Sequence, residues 1–249
     1  MGDPPPSTGD PLVRVVLKKI SKRFARHAAL VRVDLELTHG RVCVIMGENG
    51  AGKSTLLNLV STELAPDEGT IRYETAGGLR LEGQALRSRM GYVSHAPMVY
   101  PELSALENVT FFARIGGVKD AAREAGDILE RLGLDPRSPK PASAFSRGML
   151  ARLAAGRALV TRPELLLLDE ATSGLDREGR RALVDIVARV APDRIVVVVT
   201  HQLSTAANLA EQLVLLRRGR LARQEDLARL TTAERQSRIR DLLDNPRIS

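Results

Sequence analysis

Residues 41–55 read RVCVIMGENGAGKST: an arginine and five apolar residues, a glycine-rich turn, then a lysine and two hydroxyls. The apolar run does not alternate, which is the pattern of a strand covered on both faces in a parallel sheet. The glycine-rich turn matches G-x-x-x-x-G-K-[ST], with Gly47, Glu48, Asn49, Gly50, Ala51, Gly52, Lys53 and Ser54 in its positions and Thr55 directly after. The glycines let successive amides turn inward into a nest for phosphate oxygens, and the helix that opens there adds partial positive charge. Lys53 is placed to reach the β- and γ-phosphates of a nucleotide, and the Ser54 hydroxyl to bind Mg²⁺. Strand, loop and helix in that order predict a phosphate site.

Two more aliphatic runs complete the pattern. ELLLLD (164–169) ends in Asp169, with Glu170 next, and RIVVVVT (194–200) leads into His201. A carboxylate closing a buried strand is costly unless it faces a cation, so Asp169 is the metal-holding candidate. Glu170 is placed to accept a proton from an attacking water. In a parallel sheet the strand C-termini line the ligand crevice, which brings His201 toward Glu170 and the γ-phosphate. A helix-capping acid and an ordinary loop histidine are the alternatives.

The rest of the chain organises around these strands. Residues 12–40 alternate, as in VRVVLKKI and VRVDLEL, and predict half-exposed antiparallel strands. From Pro101 to Leu159 the patterns are helical, with Ser104 and Glu107 spaced as a capping box. The predicted class is α/β: a mostly parallel core sheet with an N-terminal antiparallel β subdomain and an inserted helical lobe at about 97–160. Residues 1–11, rich in Pro, Gly and Asp, are expected to form a disordered lead-in, 12–222 the main domain, and 223–249 an amphipathic helical tail packed on it. The lone Cys43 reads as a buried structural thiol.

Composition narrows the classes. The longest purely aliphatic stretch, IVVVV at 195–199, is too short to cross a bilayer, and the N-terminus has no secretion-signal pattern, so a cytoplasmic location is expected. The net charge of +7 suits phosphates, nucleic acid or anionic headgroups. Three tyrosines and four phenylalanines offer little for a base-stacking nucleic-acid surface.

GENGAGKST, FSRGM (145–149), LLLLDEATSGLD (165–176) and the histidine of VVTHQ (198–202) together resemble, in that order, the ATP-binding subunits of ABC transporters. The resemblance spans roughly Val13 to Ala222 and implies a P-loop ATPase of ABC type. It implies Gly47–Thr55 as the ATP and Mg²⁺ loop, Asp169 on the metal, Glu170 as general base and His201 at the γ-phosphate. Ser146 and Gly148 would cap the γ-phosphate held by a second copy. Ser173–Asp176 would cross the dimer interface, and Phe24 would stack on adenine, a packed strand ring being the alternative.

Arg147 departs from the family pattern; it would meet phosphate or the partner's acidic loop, or remain solvated. His95, in GYVSHAP, stands where the family carries a glutamine touching Mg²⁺ and water. That histidine, the Ser-x-Gly-Met signature and the short chain resemble the haem exporter ATPase of cytochrome c maturation, and the signature also occurs in drug and polysaccharide exporters. The resemblance implies a homodimer on the inner face of the membrane, driving separate integral membrane subunits as an exporter of haem, or of a drug, polysaccharide or lipid. A soluble ABC protein acting on DNA or ribosomes is the other class. It usually carries a coiled coil or a second ATPase domain, so no nucleic-acid partner is expected.

Overall fold

A computed structural model describes residues 10–94 and 96–244; the lead-in through residue 9, His95 and residues 245–249 lie outside the described residues. The elements run β1 (Leu12–Phe24), β2 (His27–Thr38), β3 (Arg41–Met46), α1 (Lys53–Val60), β4 (Glu68–Thr75), α2 (Gly83–Arg87), β5 (Met90–Val93), α3 (Ala105–Ile115), α4 (Ala121–Arg131), α5 (Arg147–Leu159), β6 (Leu165–Asp169), α6 (Arg177–Val190), β7 (Ile195–Val199), α7 (Leu203–Leu209), β8 (Gln212–Arg217), β9 (Arg220–Asp226) and α8 (Thr232–Asp244). They form a three-stranded antiparallel sheet in the order β2-β1-β4 and a six-stranded sheet in the order β5-β6-β7-β3-β8-β9. In the larger sheet only β9, paired with β8, is antiparallel.

The unalternating strands are buried on both faces, and successive side chains enter different cores. Cys43, Ile45, Leu165, Leu167, Ile195, Val197 and Val199 pack toward α1 and the antiparallel sheet. Val42, Val44, Met46, Leu166, Leu168, Val196 and Val198 pack with side chains of α5, α6, α7 and α8. Burial pushes the Cys43 thiol up to about 12, so it stays protonated and inert. Replacing Leu167, which has no exposed surface, by alanine should remove about 2–5 kcal/mol of stability. Urea unfolding reads this as a lower midpoint with an unchanged slope.

The helical lobe has its own core. Ala105, Val109 and Ala113 of α3 face Ala121, Ala125 and Leu129 of α4, both sets at four-residue spacing, with Leu153 and Val160 beneath. Ser104 accepts from the Glu107 amide while the Glu107 carboxylate accepts from the Ser104 amide, a complete capping box. Glu164, 2% exposed, accepts from the Leu12 amide at 2.6 Å and from Arg89 at 3.1 Å, tying the antiparallel sheet to the core sheet.

The C-terminal segment corrects one expectation. Residues 223–226 are strand rather than helix, because β9 pairs with β8 around a tight turn at Arg218 (φ 48°) and Gly219 (φ 75°). The helix begins at Thr232 and buries Ile239 and Leu242 in the core.

Candidate functional site

Parallel pairing sets β3, β6 and β7 to one level: Ile45 lies opposite Val199, and Val199 opposite Asp169. The loops after these strands therefore open at one edge of the sheet, where β3 separates β7 from β8.

The loop after β3 wraps Gly47–Gly52 into α1. Gly52 has φ 101°, and a Cβ there would lie 2.5 Å from the Ala29 carbonyl of β2, so only glycine fits. Lys53, 6% exposed, donates from Nζ to the carbonyls of Gly47 (2.9 Å) and Glu48 (3.0 Å), which holds the ammonium over the loop. Glu48, Asn49 and Gly50 are exposed, Ala51 is buried, and Thr55 is half-buried. The first turn of α1 carries no acid. Its N-terminal amides and partial positive charge thus suit an external anion.

Ser54 Oγ donates to Asp169 Oδ1 at 3.4 Å, and Tyr92 donates to the other carboxylate oxygen at 3.4 Å. A hydroxyl and a carboxylate are the hard oxygen donors that Mg²⁺ prefers, and two protein donors leave room for phosphate and water. The site fits that ion.

Glu170 comes next with φ 49°, a conformation uncommon outside glycine, in which its amide donates to the Val199 carbonyl at 3.0 Å. Its Oε2 lies 3.5 Å from Nδ1 of His201, which is itself 53% exposed. The Gln202 amide donates to Thr200 Oγ1 (3.1 Å) and its side chain to the Thr172 carbonyl (3.3 Å), pinning the histidine turn to the loop after Glu170.

Ser146 caps α5, accepting from the Met149 amide at 3.2 Å, and is exposed. The first turn of α5 also lacks an acid and contains Arg147. Arg147 donates to the Gly174 carbonyl at 3.5 Å. Gly148 is buried against Gly179, where a Cβ on Gly179 would meet the Gly148 Cα at 3.1 Å. Asp176 accepts from the Gly179 amide at 2.7 Å and so caps α6, leaving Ser173 and Gly174 exposed. Phe24 lies at the end of β1, 47% exposed, so its ring is not packed in the sheet. His95 lies outside the described residues.

Two residues escape a reading of the sequence. Tyr92, in GYV, reads as strand packing, although it reaches the Asp169 carboxylate. Gln202 stands directly after His201, and only that adjacency marks it.

An ABC transporter family model matches residues 30–173. The chain is 32% identical over 214 residues to the glutamine transport ATP-binding protein GlnQ of Escherichia coli, covering 84% of this chain and 89% of that one. It is 36% identical over 203 residues to the daunorubicin resistance ATP-binding protein DrrA3 of Streptomyces coeruleorubidus, covering 80% and 64%. The dimeric structure of MJ0796, a bacterial ABC transporter cassette, superposes with a TM-score of 0.75 at 27% identity, covering 86% of this chain and 98% of that one. The same cassette in a post-hydrolysis state bound to ADP and Pi gives 0.72 at 28% identity with the same coverage. The chain therefore belongs to the ABC transporter family, as an ATP-binding subunit that hydrolyses ATP.

Proposed function

We propose that two copies of this chain close around two ATP molecules and that hydrolysis lets them part. The observation that carries this reading is the meeting of two pairs at one sheet edge, Ser54 with Asp169 and Glu170 with His201. Lys53 and the amides of Gly47–Thr55 hold the β- and γ-phosphates. A Mg²⁺ ion bound by Ser54 and Asp169 would neutralise phosphate charge. Glu170 takes a proton from the attacking water, and His201 holds a γ-phosphate oxygen. From the other copy, Ser146 and the Gly148 amide cap the same γ-phosphate, with the Asp176 loop at the interface.

A mixing experiment tests the two-copy site. Lys53→Ala and Ser146→Arg chains are each inactive under this scheme. Mixed one to one, the chains should regain ATPase activity, because a dimer of one of each holds one intact composite site. A mixture as inactive as its components would refute the composite site.

Among the described residues no helix is long and apolar enough to cross a membrane. We assign the crossing to separate integral membrane subunits, with this chain on the cytoplasmic face. We also propose the export direction, with haem as the first cargo to test and drugs, polysaccharides or lipids after it. The Ser146–Met149 signature and His95 support this. Copurification with membrane subunits, followed by cargo-stimulated ATPase, tests it; stimulation only by an imported solute reverses the assignment.

A further inference from the structure

The tip of the β1–β2 hairpin is held by more than its own ladder. The β1–β2 register shifts three times between Leu17 and Arg23, and β1's pairing with β4 ends at Ser21 opposite Glu68. Beyond that point Asp67 takes over. Its carboxylate accepts from Lys22 Nζ at 2.8 Å and from the Arg23 amide at 2.7 Å, while its own amide donates to the Ser21 carbonyl at 2.9 Å. The Lys22 hydrogen bond, with that of Arg23, holds the Asp67 carboxyl below the usual carboxylate range. The Lys22 ammonium lies 5.8 Å from the centroid of the Phe24 ring and over it. Five residues past Phe24, Ala29 touches Gly52, so this hairpin abuts the phosphate loop.

We propose that Asp67 is a positioning residue for the base of the bound nucleotide: by anchoring Lys22 and the Arg23 backbone, it fixes the Phe24 ring on which a purine stacks. This rests on the assignment of Phe24 as the base platform. Lys22 lies over the ring, and Phe24 as a whole is 47% exposed. A platform fixed before binding loses less freedom when the base arrives, so the carboxylate contributes to affinity without touching the ligand.

The test is equilibrium competition by a non-hydrolysable adenosine triphosphate analogue and by inorganic tripolyphosphate, which has no base to stack. Both are measured against a labelled nucleotide. Asp67→Asn should weaken the adenine nucleotide about five- to tenfold and leave tripolyphosphate unchanged, given the worth of one base–ring stack. Phe24→Ala should weaken it at least as much, and adding Asp67→Asn to that variant should change little more. If Phe24→Ala has no effect, the platform assignment itself falls. If Phe24→Ala acts and Asp67→Asn does not, only the role of Asp67 falls. Equal weakening of both ligands by Asp67→Asn would make the residue merely structural and overturn the proposal.

Discussion

Replacing Glu170 by glutamine is expected to slow ATP turnover by about 10²- to 10⁴-fold while nucleotide binding survives. The amide keeps the length and shape of the carboxylate, so the 3.5 Å approach to His201 and the backbone turn at φ 49° have no reason to change. What is lost is the capacity to take a proton from water. With binding intact and turnover stopped, the closed pair of chains accumulates, and gel filtration in MgATP should show a doubled mass. Phosphate release gives the rate. A variant that turns over at the wild-type rate removes Glu170 from the role of base.

Lys53→Ala is expected to reduce turnover at least about a hundredfold, through lost contact with the β- and γ-phosphates. Unlike Glu170→Gln, it should also weaken triphosphate binding and give no nucleotide-dependent dimer. In the free chain the ammonium is satisfied by the Gly47 and Glu48 carbonyls of its own loop, which alanine leaves beside solvent-exposed residues. Thermal unfolding without nucleotide should therefore move little. Wild-type turnover in this variant would show that the loop is not the phosphate site.

Much of this arrangement is legible in the chain, for reasons that differ by element. β3, β6 and β7 declare themselves because strands buried on both faces need unbroken aliphatic runs, and the class of the core sheet comes with them. Their order does not, since placing β3 between β7 and β8 depends on pairings between residues far apart in sequence. The stretch holding β4 and α2 gives no clean pattern: β4 is half exposed and α2 is five residues long. Residues 223–226 of β9 read as helix because their mixed charges do not alternate cleanly, and Arg218-Gly219 is a weaker hairpin signal than Asn-Gly.

At the site, the glycine-lysine loop and the paired acids are readable as types at fixed spacing. Their distances are not, because the approach of Glu170 to His201 exists only once β6 and β7 are side by side. Asp176 stands out in the sequence for its place in the loop, and the structure adds that its carboxylate is engaged in starting α6.

The glycine pair at 148 and 179 bears on how force travels in such a molecule. A helix start that rests on a neighbour through long side chains can slip while those chains adjust. Here α5 and α6 begin backbone against backbone, and a Cβ on Gly179 would lie 3.1 Å from the Gly148 Cα. The loop that leads into α6 is the one that starts at Glu170, and Arg147 grips that loop again at the Gly174 carbonyl. The two helix starts thus bear on each other with little side-chain cushion between them. Any displacement of the start of α5 is passed directly to the loop that begins at Glu170.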